Sequence, residues 1–248
     1  MPPSRELRPA FAPASRGAAG GQDRAEGRPD GGGDAAGGRS QAGPGGRDDP
    51  AGRAFRAAVA ELESGVGEQR AARREVSFDS EPPPRRLAPR AAAIAATVAV
   101  AGEEVGWGRF VLLHDPAGQP GWEGAFRVIA YVRAELEPEI AADPLIGQVG
   151  WSWLTEALGI RSARYAAPSG TVTRVVTEGF GRKRDEPACT EFEMRASWSP
   201  APAWPDGRLG LDRHVGAWVD ALCSASGLPP VPGVARLRHG PAPAGREP

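Results

Sequence analysis

Residues 146–160 constrain the fold most, because a helix over this segment would be apolar on two opposite faces. At 100° per residue, Trp151, Leu154 and Leu158 form one apolar stripe. The other stripe consists of Ile146, Val149, Trp153, Ala157 and Ile160. A helix that rests on one sheet needs only one apolar face. This helix must therefore lie between two layers of the fold or present a tryptophan stripe to a partner.

Two long segments alternate between apolar and polar residues, as expected of half-buried strands. In residues 122–136 the even positions are apolar or small, and the odd positions include Arg127 and Arg133. Residues 191–198 alternate in the same way, with Glu191, Glu193 and Arg195 on the polar side. We expect these charges to form a solvated sheet face with cross-strand ion pairs.

The remaining elements complete an α+β pattern. Residues 53–63 predict a helix that Gly65 and Gly67 end, and residues 92–100 favour a strand. Asp115-Pro116-Ala117-Gly118 predicts a hairpin turn, and Asp212 a cap for a last helix that ends at Gly227. The order predicts an antiparallel sheet of about five to six strands, with three helices packed largely on one face.

Composition divides the chain into three parts. Residues 1–52 are rich in Gly, Pro and Arg and carry few large apolar side chains, so we expect disorder there. Residues 53–230 form one predicted globular domain, and residues 231–248 a disordered tail. Two cysteines fit a reducing cytoplasm, and the longest apolar run, 91–101, is too short to span a membrane.

Candidate catalytic groups are few. His114-Asp115 is the most suggestive pair, but strand neighbours point to opposite faces and the sequence is that of a common turn. His214 is expected to be a partly buried helix residue. The acids Glu135, Glu137, Glu139 and Asp143 cluster after the long strand and are a candidate cation or acid–base site. No catalytic, cofactor-binding or metal-binding motif is found, so we expect no cofactor and no metal.

One segment is enriched in arginine. The arginines are Arg70, Arg73, Arg74, Arg85, Arg86 and Arg90. Acidic residues interleave them, and the whole chain has a net charge of −1. The segment is a candidate contact for RNA or another anion, although the balanced charge is more typical of a solvated surface.

Several short strings resemble one known family. They are FVLLHDP at 110–116, GWEG at 121–124, YVRAELEPE at 131–139, GWSWLTEAL at 150–158, GTVTR at 170–174 and RASW at 195–198. They are similar to an actinobacterial family known as domain of unknown function number 3000. The resemblance spans residues 55–230 and implies no catalytic residues.

The leading hypothesis is a cytoplasmic, non-enzymatic module that binds a protein partner or a second copy of itself. The candidate anchors are Trp151, Leu154 and Leu158, or Trp153 with Val149, because aromatic anchors dominate interface energetics. The alternatives are an RNA-associated protein that uses the Arg70–Arg90 segment and an enzyme with the histidine or acidic site. The sequence predicts no membrane partner.

Overall fold

The computed structural model describes residues 49–185 and 188–229. The helices are α1 (Pro50–Ala72), α2 (Pro138–Ala141), α3 (Ile146–Ile160) and α4 (Leu211–Ala225), with a 3₁₀ turn at Gly181–Lys183. The strands are β1 (Val76–Ser80), β2 (Arg90–Val100), β3 (Glu103–His114), β4 (Phe126–Leu136), β5 (Tyr165–Thr177) and β6 (Cys189–Pro200). The predicted tail and most of the predicted N-terminal disordered segment lie outside the described residues.

The six strands form one antiparallel sheet in the order β1-β2-β3-β4-β6-β5. One face carries the apolar positions that the alternation predicted, including Phe110, Val128, Met194 and Trp198, each at most 1% exposed. These residues pack against the helices in the main core. The predicted α+β fold, with an antiparallel sheet and helices on one face, is confirmed.

Helix α4 lies at the centre of the helical layer. Its Trp218 is fully buried, and the indole Nε1 donates a hydrogen bond to the Tyr131 carbonyl oxygen of β4 at 3.1 Å. Helices α1 and α3 both pack against α4. Helix α3 therefore has the sheet on one side and α4 on another, which accounts for most of its two apolar stripes.

The predicted bounds of the first helix were wrong. It begins at Pro50 and runs to Ala72, so neither Gly65 nor Gly67 ends it. A Cβ atom on Gly65 would lie 2.7 Å from the Asp212 Cα atom. Gly65 is therefore a point of close approach between α1 and α4, and tertiary packing outweighs the low helix propensity of glycine.

The predicted cap of the last helix was also wrong. Helix α4 begins after Gly210, whose φ of 71° suits glycine, and Asp212 lies in the first turn. The cap comes from α1. The Glu61 carboxylate accepts hydrogen bonds from the backbone N–H of Gly210 at 2.6 Å and of Leu211 at 3.0 Å.

Candidate functional site

The sheet face opposite the helices is partly covered by two loops. Residues 81–89 link β1 to β2, and residues 115–125 link β3 to β4. The Gln119 side chain joins the loops by donating to the Leu87 carbonyl oxygen at 3.0 Å and to Asp115 Oδ2 at 3.0 Å. Trp122, predicted as the start of a strand, belongs to the second loop.

Between these loops and strands β4, β5 and β6 lies an open cleft of about 720 Å³, called here the Arg127 cleft. Its size is within the range of small-molecule sites. Its apolar wall is formed by Leu87, Leu113, Trp122 and Ile129, and its polar end by Arg127, Ser169 and Ser197.

Arg127 is 8% exposed, and its guanidinium is surrounded by neutral oxygen atoms. Nη1 donates to the carbonyl oxygens of Ala167 at 3.0 Å and Gly121 at 3.4 Å, and to Ser199 Oγ at 3.3 Å. Nη2 donates to Ser197 Oγ at 2.8 Å and Ser169 Oγ at 3.3 Å. These partners engage both Nη atoms, but they do not neutralise the charge.

No carboxylate bonds to Arg127 within residues 49–185 and 188–229. Burial lowers its pKa, and no acidic group offsets that effect. Two other buried or half-buried arginines do have acidic partners: Arg73 pairs with Asp220 at 3.5 Å and Arg133 with Glu191 at 2.5 Å. Because an uncompensated buried charge is costly, Arg127 is a candidate functional residue.

The backbone beside Arg127 is irregular. The β5–β6 register shifts between Ala166 and Ser169, and Ala167 has a φ of 47°, which is unusual for a residue with a side chain. Bulges of this kind occur often beside functional sites. The bulge supplies the Ala167 carbonyl oxygen and the Ser169 hydroxyl to the guanidinium.

The prediction that this whole face is solvated was therefore wrong at Arg127. Of the predicted cross-strand ion pairs, Arg133–Glu191 forms in half-buried surroundings. Arg195 instead pairs at 3.5 Å with Glu193 of its own strand, near the surface. Leu113 lies opposite Arg127 on β3. On β6 the neighbouring position is Ser199, which follows Trp198, the partner of Val128. Neither of these side chains can offer a counter-charge.

Among the described residues, no hydrogen bond joins His114 to Asp115. His114 is 2% exposed and stacks on Phe126 with 4.3 Å between ring centroids. Burial lowers its pKa, with a smaller contribution from Arg90 in the same direction. The Asp115 carboxylate instead accepts from the Ala117 N–H at 3.1 Å, as a turn residue does.

His214 is buried completely rather than partly. Its Nδ1 accepts a hydrogen bond from Trp198 Nε1 at 3.0 Å. Burial lowers its pKa to about 4, so the ring is neutral near pH 7. Its contacts are those of a core residue, and it does not line the Arg127 cleft.

The acidic cluster after β4 stays at the surface. Glu135, Glu137, Glu139 and Asp143 are all exposed. Within the described ranges, no group of three or more His, Cys, Asp or Glu side chains is arranged to hold a metal ion. Nor does any helix of these ranges have the length and apolar character needed to cross a membrane.

The tryptophan helix spans Ile146–Ile160, as predicted. Leu154 and Leu158 are each 1% exposed and belong to the domain's own core. Trp151 and Trp153 are half-buried. The Trp151 ring lies close to Gly170 of β5, where a Cβ atom would come within 2.6 Å of it. The Trp153 ring packs against Phe192, with 5.6 Å between ring centroids. The most exposed apolar residues of α3 are Val149 and Ile160.

The arginine-rich segment is divided by the fold. Arg73 is buried against Asp220, Arg90 pairs with Asp49 at 2.7 Å, and Arg70 donates to the Phe78 carbonyl oxygen at 2.9 Å. Arg74, Arg85 and Arg86 are exposed. Of the six arginines predicted to contact RNA or another anion, these three are thus exposed and have no partner among the described residues.

The comparisons with known proteins give one match. The family model described as "Protein of unknown function (DUF3000)" matches residues 51–235. No curated protein and no solved structure matches the chain. Because the family model covers most of the sequence, this chain belongs to the DUF3000 family.

Proposed function

We propose that this domain is a non-enzymatic binding module and that the Arg127 cleft takes an anionic ligand. The observation that carries the proposal is Arg127, a buried arginine that lines a cleft of about 720 Å³. Among the described residues, its hydrogen-bond partners are all neutral. An anion would supply the missing counter-charge, and a hydrogen bond to an ionised group is stronger than one between neutral groups.

The chemistry of the cleft favours binding over catalysis. Its described lining residues include no His, Cys, Asp or Glu. Ser169 and Ser197 are present, but a serine nucleophile needs an adjacent base. Both serines instead accept hydrogen bonds from Arg127, which orients their oxygen atoms without activating them.

Thermal unfolding of the full chain tests the proposal. The melting temperature is measured with acetate, phosphate or chloride at equal ionic strength, for the wild type, Arg127→Met and the control Arg182→Met. Arg182 is exposed and lies outside the cleft. Because these anions also stabilise proteins generally, we expect acetate or phosphate to raise the melting temperature of the wild type and the control more than that of Arg127→Met. Equal shifts in all three proteins would refute the proposal.

A second candidate function, the binding of a protein partner, is favoured by the outer edge of β5. Among the strands that the structure describes, β5 pairs with β6 alone. Val176 of β5 is 62% exposed, and Leu145, beside the start of α3, is 52% exposed. Arg174 connects the two regions by donating to the Asp143 carbonyl oxygen at 3.3 Å. An open strand edge beside apolar side chains suits the addition of an extended segment from a partner.

Light scattering and in-cell crosslinking test this second candidate. Val176→Lys places a charge on the strand edge, and Ile160→Lys is the control at the other end of α3, where Ile160 is 55% exposed. We expect only Val176→Lys to abolish self-association or a specific crosslink. A monomeric wild type that forms no specific crosslink would contradict the proposed partner binding at the β5 edge. The anchor role of Trp151 and Trp153, the cytoplasmic location and the actinobacterial distribution of the family stay predictions.

A further inference from the structure

We propose that the ligand of the Arg127 cleft is a small monocarboxylate with an apolar body. This inference rests on the proposed function and names the ligand class. Three properties of the cleft support this ligand class: a single uncompensated cation, serine hydroxyls around it, and an apolar wall.

The charge of the cleft matches a monoanion. Besides Arg127, the only charged side chain among its described lining residues is Arg195. Arg195 pairs with Glu193 at 3.5 Å, and its side chain is 58% exposed, so it is both compensated and solvated. A carboxylate would make the buried end neutral. A phosphate dianion would leave an excess negative charge there, which burial disfavours.

The hydrogen bonds around Arg127 match an acceptor ligand. Ser169 and Ser197 both accept from Arg127, and their Oγ atoms lie 3.1 Å apart. Only one of the two hydroxyl hydrogens can serve that Ser–Ser hydrogen bond. Among the described residues the other has no acceptor. A carboxylate accepts hydrogen bonds without donating any, so it complements this group.

The rest of the cleft matches an apolar body. Leu87, Trp122 and Ile129 pack around Leu113 in a small apolar cluster on this sheet face. Both the cluster and Arg127 line the cleft, so an anionic group at Arg127 leaves the remainder of the ligand against apolar side chains. Burial of an alkyl or aryl chain there would add affinity in proportion to its area. Inorganic phosphate would leave this wall unused.

Isothermal titration calorimetry of the full chain tests the inference with octanoate, octanamide and inorganic phosphate. We expect octanoate to bind, octanamide to bind at least tenfold more weakly, and phosphate to bind more weakly than octanoate. Arg127→Met should abolish octanoate binding. Trp122→Ala should weaken it at least threefold, whereas the control Trp204→Ala, outside the cleft, should leave it unchanged.

The outcomes separate the two claims. Phosphate binding that needs Arg127, without octanoate binding, would overturn the ligand class and leave the anion site intact. Equal binding of octanoate and octanamide, unaffected by Arg127→Met, would overturn both claims, as would no binding of octanoate or phosphate. If Arg127→Met does not fold, Arg127→Lys and Ser197→Ala take its place. Each is then expected to weaken octanoate binding at least threefold, and unchanged binding in both would overturn the assignment.

Discussion

The buried His214 predicts that the domain loses stability in mild acid. Its Nδ1 accepts the Trp198 indole hydrogen at 3.0 Å, so a proton on Nδ1 would replace an acceptor with a second donor. The side chain is fully buried, and burial lowers its pKa from 6.5 to about 4. Folding therefore opposes protonation, whereas the unfolded chain accepts the proton at the ordinary pKa.

The sign and size of the effect follow from that difference. The unfolded state binds more protons than the folded state between pH 6.5 and pH 4, so stability is complete above pH 6.5 and falls as the pH decreases through this window. For these two pKa values, linkage gives a loss of about 2 kcal/mol between pH 7.5 and pH 5. His114 adds a loss in the same direction, because its pKa is also lowered.

Urea unfolding at pH 7.5 and pH 5 measures this loss. His214→Asn is the matched variant, because its amide oxygen can accept from Trp198 but does not titrate. We expect the wild type to lose about 2 kcal/mol more than His214→Asn between the two pH values. An NMR titration of the wild-type ring gives a second measurement. Equal losses in both proteins, or a ring pKa near 6.5, would refute the reasoning.

Three further predictions concern packing, capping and the buried charge. Gly65→Ala should destabilise the domain by about 1–3 kcal/mol, because the new Cβ atom would meet the backbone of α4. Gly67→Ala, whose Cβ atom would have nothing within 4 Å, should stabilise it by about 0.5–1 kcal/mol. Urea unfolding measures both changes, and equal effects would contradict the close approach of α1 and α4 at Gly65. In the same assay, Glu61→Ala should lower the free energy of unfolding by about 1–2 kcal/mol, because helix α4 loses its cap. The control Glu63→Ala, at an exposed position, should change it little, and similar losses in both variants would contradict the cap. Arg127→Met should lower the ligand-free melting temperature, because the carbonyl and hydroxyl oxygens around the guanidinium lose their donor. An unchanged melting temperature by calorimetry would show that these hydrogen bonds make no net contribution to stability.

Much of the fold could be predicted from the sequence, because side-chain periodicity reports which face of an element is buried. The period of two in β4 and β6 gave the helix-facing residues, such as Val128 and Trp198, and the spacing of α3 gave a helix at Ile146–Ile160. The ends of the helices were harder to predict. Gly65 resembles a stop signal, and only its close approach to α4 explains its position inside α1.

The candidate site could not be found in this way, because it depends on register and on loop packing. Alternation correctly placed Arg127 on the face away from the helices. It could not show that Leu113 lies opposite Arg127 on β3, or that Ser199 and the β5 bulge surround it. The contrast with Arg133, which has Glu191 within reach, becomes visible only once the strands are aligned.

The most direct measurement of the central claim is a crystal structure of the full chain with bound octanoate. We expect the carboxylate in the Arg127 cleft, with an oxygen at ~2.7 Å from Ser169 or Ser197 Oγ beside the guanidinium, and the alkyl chain against Trp122 and Ile129. An empty cleft at saturating octanoate, or octanoate bound elsewhere while Arg127 keeps only its neutral partners, would contradict the account.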